Sequence, residues 1–495
     1  MKYLNLVFFL FCINSFSQSI SVNWSDKMKN NGDEVIVGGK YGNYYTRNVT
    51  KDNNVTFKTF DSKAVFKKET EADFKLGKKV EYTYVKNMMI GKNIINFLGE
   101  EKRKTKTFSV YASITNKDFV PQGETLVLSE VNEKSMVNYG IGMSPDSTKV
   151  YVWSQIKAEK KKNPNSIQYK IFDAGLKNLL TEKTVELPHD SKDSFVYDCL
   201  IDDFENFYVA SEIMKSDDEQ QREESETYTN ITIYPKKGEM KKIPYTFKNK
   251  MIDSFMFQLT KSNTLVFTGF LSPIIKGFLK SKKRELVSDE LAVVKTDCKT
   301  FAEKQNKIIN ASTLYPDKVS KVSEYVPFKV RNFYEQKDGS LSIVAEQYKS
   351  VYHSGYKGNG YYVYYYCDIA VINLDNKLDV KAMVKMPKFQ KDVKNPSILS
   401  TTYKDKTYVI YEDETKNETA VTDKDVKKST TSIFSKDNNN SLFLVTVSAK
   451  GEMKKEIIYS YDKSPIRPNF YKCKTVKDGE IMLHADDYLG ILKIK

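Results

Sequence analysis

Only three histidines, His189, His353 and His484, offer acid–base or metal chemistry in a chain of 495 residues. They stand apart, in LPHD, VYHSG and MLHAD, and none has a second ligand at metal spacing. An HExxH pair would set two imidazoles on one helical face, a GxSxG elbow would present a nucleophile, and a P-loop or GxGxxG turn would cradle phosphate; none occurs. The SKDNNN stretch around Asp437 has the composition of a calcium loop without its spacing or closing glutamate. No metal and no cofactor is therefore expected. Carboxylates drawn from separate elements escape such searches. Asp190, Asp193 and Asp253 stand where inner strands begin, and two acids within about 10 Å in one pocket would favour glycoside hydrolysis.

Two further groups carry binding chemistry. Six arginines occur among 78 basic residues, and two of them share a phrase, VRNFY from Val330 and IRPNFY from Ile466. Arg331 with Asn332, and Arg467 with Asn469, are thus candidate ligand-binding residues. Two convergent guanidinium groups would clamp a carboxylate or another anion bidentately. Replacing both arginines by alanine is then expected to abolish anion binding and spare the fold. A repeated structural anchor accounts for the pattern as well. The second group is aromatic: QYKSVYHSGYKGNGYYVYYY, residues 347–366, with a Gly-Asn-Gly tip. Tyr348, Tyr352, Tyr356 and Tyr361 in it are candidates for a stacking surface toward sugar or protein, since tyrosine is amphipathic. The alternative is a long hairpin whose rings pack on neighbouring loops.

Both groups need elements to hold them. Tyrosine and phenylalanine are abundant, helical periodicity is scarce, and short runs such as FENFYVASEI, NTLVFTGF and GSLSIVAEQY alternate as half-buried strands do. The turns between them repeat. Gly91, Asp146, Asp203, Asn263, Asp338, Asp405 and Asp478 each separate a variable strand from a strongly apolar one, at intervals of 55 to 75 residues. A second series, Asp61, Lys117, Asp173, Lys237, Asp297, Asn376 and Lys450, interleaves with the first. Two hairpins per period make four strands per unit, the makeup of a propeller blade.

Ser144-Pro145-Asp146-Ser147-Thr148-Lys149-Val150-Tyr151-Val152 resembles the SPDGKxIYF signature of TolB/WD40-like propeller repeats. Lys337-Asp338-Gly339 and Lys477-Asp478-Gly479 keep the turn alone. Residues 344–390, with VAEQY, YYYCDIAVINLD and KMPKFQ, resemble uncharacterised exported bacterial propeller-like proteins. The resemblance implies an all-β single propeller and supplies no catalytic residues. In that repeat the Asp146-type turn joins inner strands A and B, and the second series joins C and D. Seven four-stranded blades is the favoured count, closed by pairing of the N- and C-terminal segments. Eight is the alternative, if Glu34 to Arg47 makes another hairpin.

In this register the A–B and C–D turns lie on one face and stay tight. The B–C and D–A connections hold every long insertion: residues 214–227, 271–289, 311–326, 348–360 and 412–440. Long loops gathered on one side mark a functional face. The stretch LSPIIKGFLKSKKREL, residues 271–286, has apolar spacing suited to a short amphipathic helix. Function is accordingly expected on the insertion-bearing face: non-catalytic binding of a protein or glycan. A propeller hydrolase or lyase acting on carbohydrate or peptide, and a structural part of a cell-envelope assembly, are the alternatives.

Residues 1–17 pair one lysine with an apolar run and small residues before a cut site, a signal-peptide pattern that leaves 18–495 as the propeller domain. An exported protein, in periplasm, at the cell surface or secreted, is expected, with no transmembrane segment. Cys199, Cys298, Cys367 and Cys473 remain, too sparse for a disulfide scaffold and expected as free thiols. The formal charge of +14 comes almost wholly from lysines interspersed with acids, which argues against a nucleic-acid reader and for a solvated surface. A cell-envelope protein or glycan partner and a monomeric state complete the expectation.

Overall fold

The computed structural model describes residues 20–28, 34–40, 42–49, 55–72, 74, 83–102, 104–215, 227–247, 250–275, 283–284, 289–315, 326–354, 360–391, 398–422, 424–426, 439–462 and 466–495. Residues 1–17, expected as a signal peptide, lie outside them. Eight antiparallel sheets follow one another, each with a four-strand path A-B-C-D. Seven are continuous in sequence, spanning 35–71, 83–132, 136–190, 194–245, 250–310, 328–386 and 399–460. The eighth takes strands A to C from the C-terminus (Lys474–Lys477, Glu480–Ala485, Tyr488–Ile494) and strand D from Ile20–Trp24 near the N-terminus. Ile20 faces Ile494 and Trp24 faces Gly490, so the ring closes and no sheet edge is left open at the seam. The chain is an eight-bladed β-propeller.

The favoured count of seven gives way to eight. Val35–Lys40 and Asn43–Val49 form the hairpin on which the alternative turned, and the hairpin around Asp61 completes that blade instead of joining the C-terminus. This A–B turn, like the one at Gly91, lacks the Asp or Asn that marks the other copies. It centres on Gly42 at φ 79°, and Gly38 and Gly39 dilute the strand pattern before it.

Blade packing explains the alternation of variable and apolar strands. Strand B of each blade is covered on both faces by neighbouring blades, so its residues run buried without an exposed gap: Ile94 to Leu98, Val150 to Gln155 and Phe207 to Ser211. Strand D, at the rim, exposes alternate residues, as in Leu179–Asp190. Stacked rings join the blades: Tyr169 lies on Phe207 and Tyr245 on Phe267, each with centroids 4.0 Å apart. Strands A of neighbouring blades touch one another and ring the central channel.

The SPD motif is scaffold. Ser144 Oγ donates to Asp146 Oδ1 at 2.6 Å, the Thr148 N–H donates to the same oxygen, and the Asp146 N–H reaches Asp203 in the next blade at 3.0 Å. Ser147 takes the left-handed conformation at φ 60°. The long connections run from B to C or from D to A, on the opposite side. Leu271–Ile275 departs from the helical expectation: it continues strand B, and Ile274 and Ile275 pair with Arg284 and Lys283. The β-branched residues there extend an existing ladder, which satisfies backbone groups that an isolated helical turn would leave open. The four cysteines are free thiols. Among the described residues no helix is long and apolar enough to cross a membrane.

Candidate functional site

One backbone device organises the channel wall. Strand A slips by one residue in seven blades, between Ile36/Gly38, Tyr84/Lys86, Met136/Asn138, Val196/Asp198, Ile252/Ser254, Val330/Asn332 and Thr475/Lys477. A β-bulge leaves its extra residue unpaired and re-aims the side chains that follow. The position after the bulge is Asn138, Asp198 and Asn332 in three blades, and each Oδ1 accepts the next residue's N–H, at 2.9, 2.7 and 3.0 Å. The repeated Asn of VRNFY is thus part of a structural clasp.

In blade 4 the bulge opens a site. Strand A there is Ser194–Ile201, and its slip turns Phe195, Tyr197 and Asp198 all toward solvent at the insertion-face end of the channel. A pocket of about 570 Å³ lies between blades 4 and 5, with Asn332 of blade 6 reaching its margin. Such a volume suits a small ligand or one or two units of a polymer. One wall is aromatic: Tyr197 meets Phe255 edge-on at 5.0 Å; Phe195, 62% exposed, stands outside the lining and meets Tyr197 at 5.2 Å. The floor is polar. Tyr197 Oη donates to Glu212 Oε2 at 2.5 Å, and Asp198, Lys215, Tyr228 and Lys250 line the same space. Lys250 pairs with Glu290.

Asp198 and Glu212 are a close carboxylate pair. Asp198 faces Ala210 on strand B, and Glu212 stands two residues further along. Antiparallel partners about 5 Å apart and roughly 7 Å for two residues of strand place their backbones about 8 Å from each other. Burial pushes the Asp198 carboxyl up, against the pull of the Cys199 N–H and of Lys86. His189 borders the site through an edge contact with Tyr228, and burial pushes its imidazole pKa down.

Of the binding residues singled out from sequence, Asn332 reaches the pocket's margin and the others fall elsewhere. Arg331 occupies the bulge of blade 6, and its guanidinium is held by Glu346, with Nε at 2.9 Å and a terminal nitrogen at 2.8 Å from the same oxygen. Tyr348 and Tyr366 cover it at 5.4 and 5.9 Å. Asn332 bonds Tyr334 Oη at 2.8 Å. Arg467 lies in the connection ahead of blade 8, against the Tyr461 ring at 5.2 Å, and Asn469 caps the short turn Phe470–Lys472. The two phrases therefore occupy different places, one inside strand A and one before it. Tyr352 and Tyr361 stand on an arm made by Leu341–His353 and Tyr361–Leu374, 55% and 61% exposed; Tyr356 lies outside the described residues. Asp190 and Asp193 sit at the entry to blade 4, where Lys192 pairs with Asp193 at 3.0 Å.

Phe195, Tyr197, Asp198, Glu212 and Phe255 were not singled out by sequence reasoning. Their one signal is the SFVYDC run from Ser194, where the bulge breaks strand alternation and puts neighbours Tyr197 and Asp198 on one side.

No protein-family model and no curated protein sequence matches the chain. Solved propellers resemble it in fold. The polysaccharide lyase Uly1 aligns over 94% of this chain and 91% of its own at 8% identity and a TM-score of 0.41. The β-propeller domain of the trilobed protease from Pyrococcus furiosus aligns over 90% and 96% at 12% identity and 0.34. The BP39L lectin from Burkholderia pseudomallei aligns over 88% and 98% at 8% identity and 0.34. The class is β-propeller; enzymes and a lectin share it, and fold alone does not choose among them.

Proposed function

We propose that the protein is an exported propeller that binds a saccharide of the cell envelope in the pocket between blades 4 and 5, on the insertion-bearing face. The observation that carries this reading is the pairing of an aromatic wall, Tyr197–Phe255, with a carboxylate floor, Asp198 and Glu212, in one open pocket. A pyranose ring has an apolar C–H face and an equatorial belt of hydroxyls. Aromatic rings take the first, and carboxylate oxygens accept from the second. A purified-oligosaccharide array followed by titration calorimetry tests the reading. Expected is a sugar whose affinity falls about tenfold in Tyr197→Ala and is unchanged in Tyr352→Ala. The reverse pattern would move binding to the tyrosine arm and a protein partner.

The second reading is glycoside hydrolysis, favoured by the Asp198 and Glu212 pair. Asp198, with its pKa raised, would protonate the leaving oxygen, and Glu212 would activate water at the anomeric carbon. New reducing ends released from the bound saccharide, and lost in Asp198→Asn, would establish it. Intact saccharide after prolonged incubation would leave the protein a binder.

A further inference from the structure

Among the described residues, neither carboxylate of the pocket between blades 4 and 5 forms an ion pair. Asp198 is exposed there, and its one hydrogen bond among those residues comes from the Cys199 N–H, at 2.7 Å. Glu212 accepts from the Tyr197 hydroxyl through Oε2. A carboxylate offers about four acceptor sites, so each keeps several open. The two lysines that line the same space do not answer them. Lys250 pairs with Glu290, and Lys215 is buried, at 6% exposure. Lys86 acts on Asp198 from outside the lining, and its ammonium donates to the Ile141 carbonyl of blade 3 at 3.1 Å.

Two carboxylates in one pocket repel each other and lose part of their hydration, and a hydroxyl ligand relieves only the second cost. An ammonium relieves both. It brings one positive charge and three donors, in hydrogen bonds roughly twice as strong as neutral ones. The aromatic wall favours the same group, since a cation within about 6 Å of a ring face is attracted by the ring quadrupole. Tyr197 and Phe255, with centroids 5.0 Å apart, line the pocket together with the two acids. Burial pushes the Asp198 carboxyl up, and a bound cation opposes that shift.

We propose that the saccharide taken by this pocket carries a free amine: an amino sugar whose protonated nitrogen meets Asp198 and Glu212 while its C–H face rests on Tyr197 and Phe255. This rests on the saccharide reading above and narrows it. An N-acetyl group in place of the amine removes the charge and leaves a single N–H donor. A uronate adds a further negative charge to two that have no cation. Both substituents are thereby selected against.

The β-1,4-linked tetramers of glucosamine, N-acetylglucosamine and glucose differ only at C2, so they separate the amine from the sugar. Each is titrated at about pH 6 into the full mature chain, into Asp198→Asn and into Glu212→Gln, with putrescine as an amine that has no sugar. The amides keep an acceptor at each position while removing the charge, and thermal unfolding near that of the parent shows that the variants fold. Expected is a glucosamine tetramer bound about tenfold or more tightly than the glucose tetramer, with the advantage lost in both variants. Putrescine bound and lost in Asp198→Asn, with no tetramer bound, supports the ammonium site and counts against the saccharide reading. Equal affinity for the three tetramers, or tightest binding of N-acetylglucosamine, overturns the inference and leaves the saccharide reading standing. A glucosamine advantage that persists in both variants puts the amine elsewhere on the surface and overturns it too. No binding by any of the four probes overturns it as well.

Discussion

Two charged regions share the insertion-bearing face, and they are built to opposite ends. Across blades 6 to 8, charged groups close on one another. Arg331 and Lys388 hold Glu346, the latter at 2.5 Å. Lys388 also donates to Gln390, whose amide reaches the Glu412 carbonyl at 2.6 Å; Asn440 holds the Glu412 carboxylate at 2.9 Å. Lys385 pairs with Asp368, and Tyr461, under Arg467, reaches back toward Glu412. In the arc of blades 4 and 5, by contrast, Asp198 opens on the pocket and Phe195 faces water. Clustered charge by itself is therefore not a binding site. The closed network fills its own valences, as buried ions must; the open arc leaves valences for something else.

Breaking the closed network should give the largest effect. Glu346→Ala leaves the fully buried Lys388 ammonium without its carboxylate and is expected to cost about 3–5 kcal/mol in urea unfolding. Saccharide affinity should stay near that of the parent chain, because the pocket's walls come from blades 4 and 5 and Glu346 does not line it. A large loss of affinity at unchanged stability would erase the distinction between the regions.

The network has one flaw, and mending it should sharpen the contrast. Asp413 is buried with Oδ2 unbonded, and burial pushes its carboxyl up to about 6. The folded chain then holds a proton that the unfolded chain gives up, so stability falls as pH rises from about 4 to about 6 and levels off above. Asp413→Asn is expected to remove that fall and add on the order of 1–3 kcal/mol at pH 7. Denaturant curves at pH 4.5 and pH 7 provide the check; equal destabilisation at both would contradict it.

The smallest effect belongs to the open arc. Tyr197→Ala removes half the aromatic wall and the phenol that orients Glu212. It should lower saccharide affinity about tenfold, roughly 1.4 kcal/mol, and change stability by less than about 1 kcal/mol because the ring is part-exposed. Unchanged affinity would detach the pocket from binding.

Much of the architecture was legible in the residues. Asp146 and Asp338 mark A–B turns because a short acidic side chain can accept the N–H groups of a tight turn, as Asp202 does beside Asp203, and such turns are local. The blade at residues 35–71 was hard to read because Gly38, Gly39 and Gly42 leave little alternation and no turn acid. Arg331 and Arg467 show the limit of repeated phrases. They share neighbours in sequence, but one bonds Glu346 inside a strand and the other covers Tyr461 in a loop.

Local pattern thus determined strand identity, turn position and the face that takes insertions, since each depends on residues within one hairpin. Only the closed ring decided the rest. Whether a pocket carboxylate meets a cation depends on which side chains blades 4, 5 and 6 bring to one space. Whether Tyr197 and Asp198 share a side depends on a one-residue slip against Ser211 and Ala210. A bulge changes where side chains point without changing the residues that carry them, so the site becomes visible only when the strands are paired.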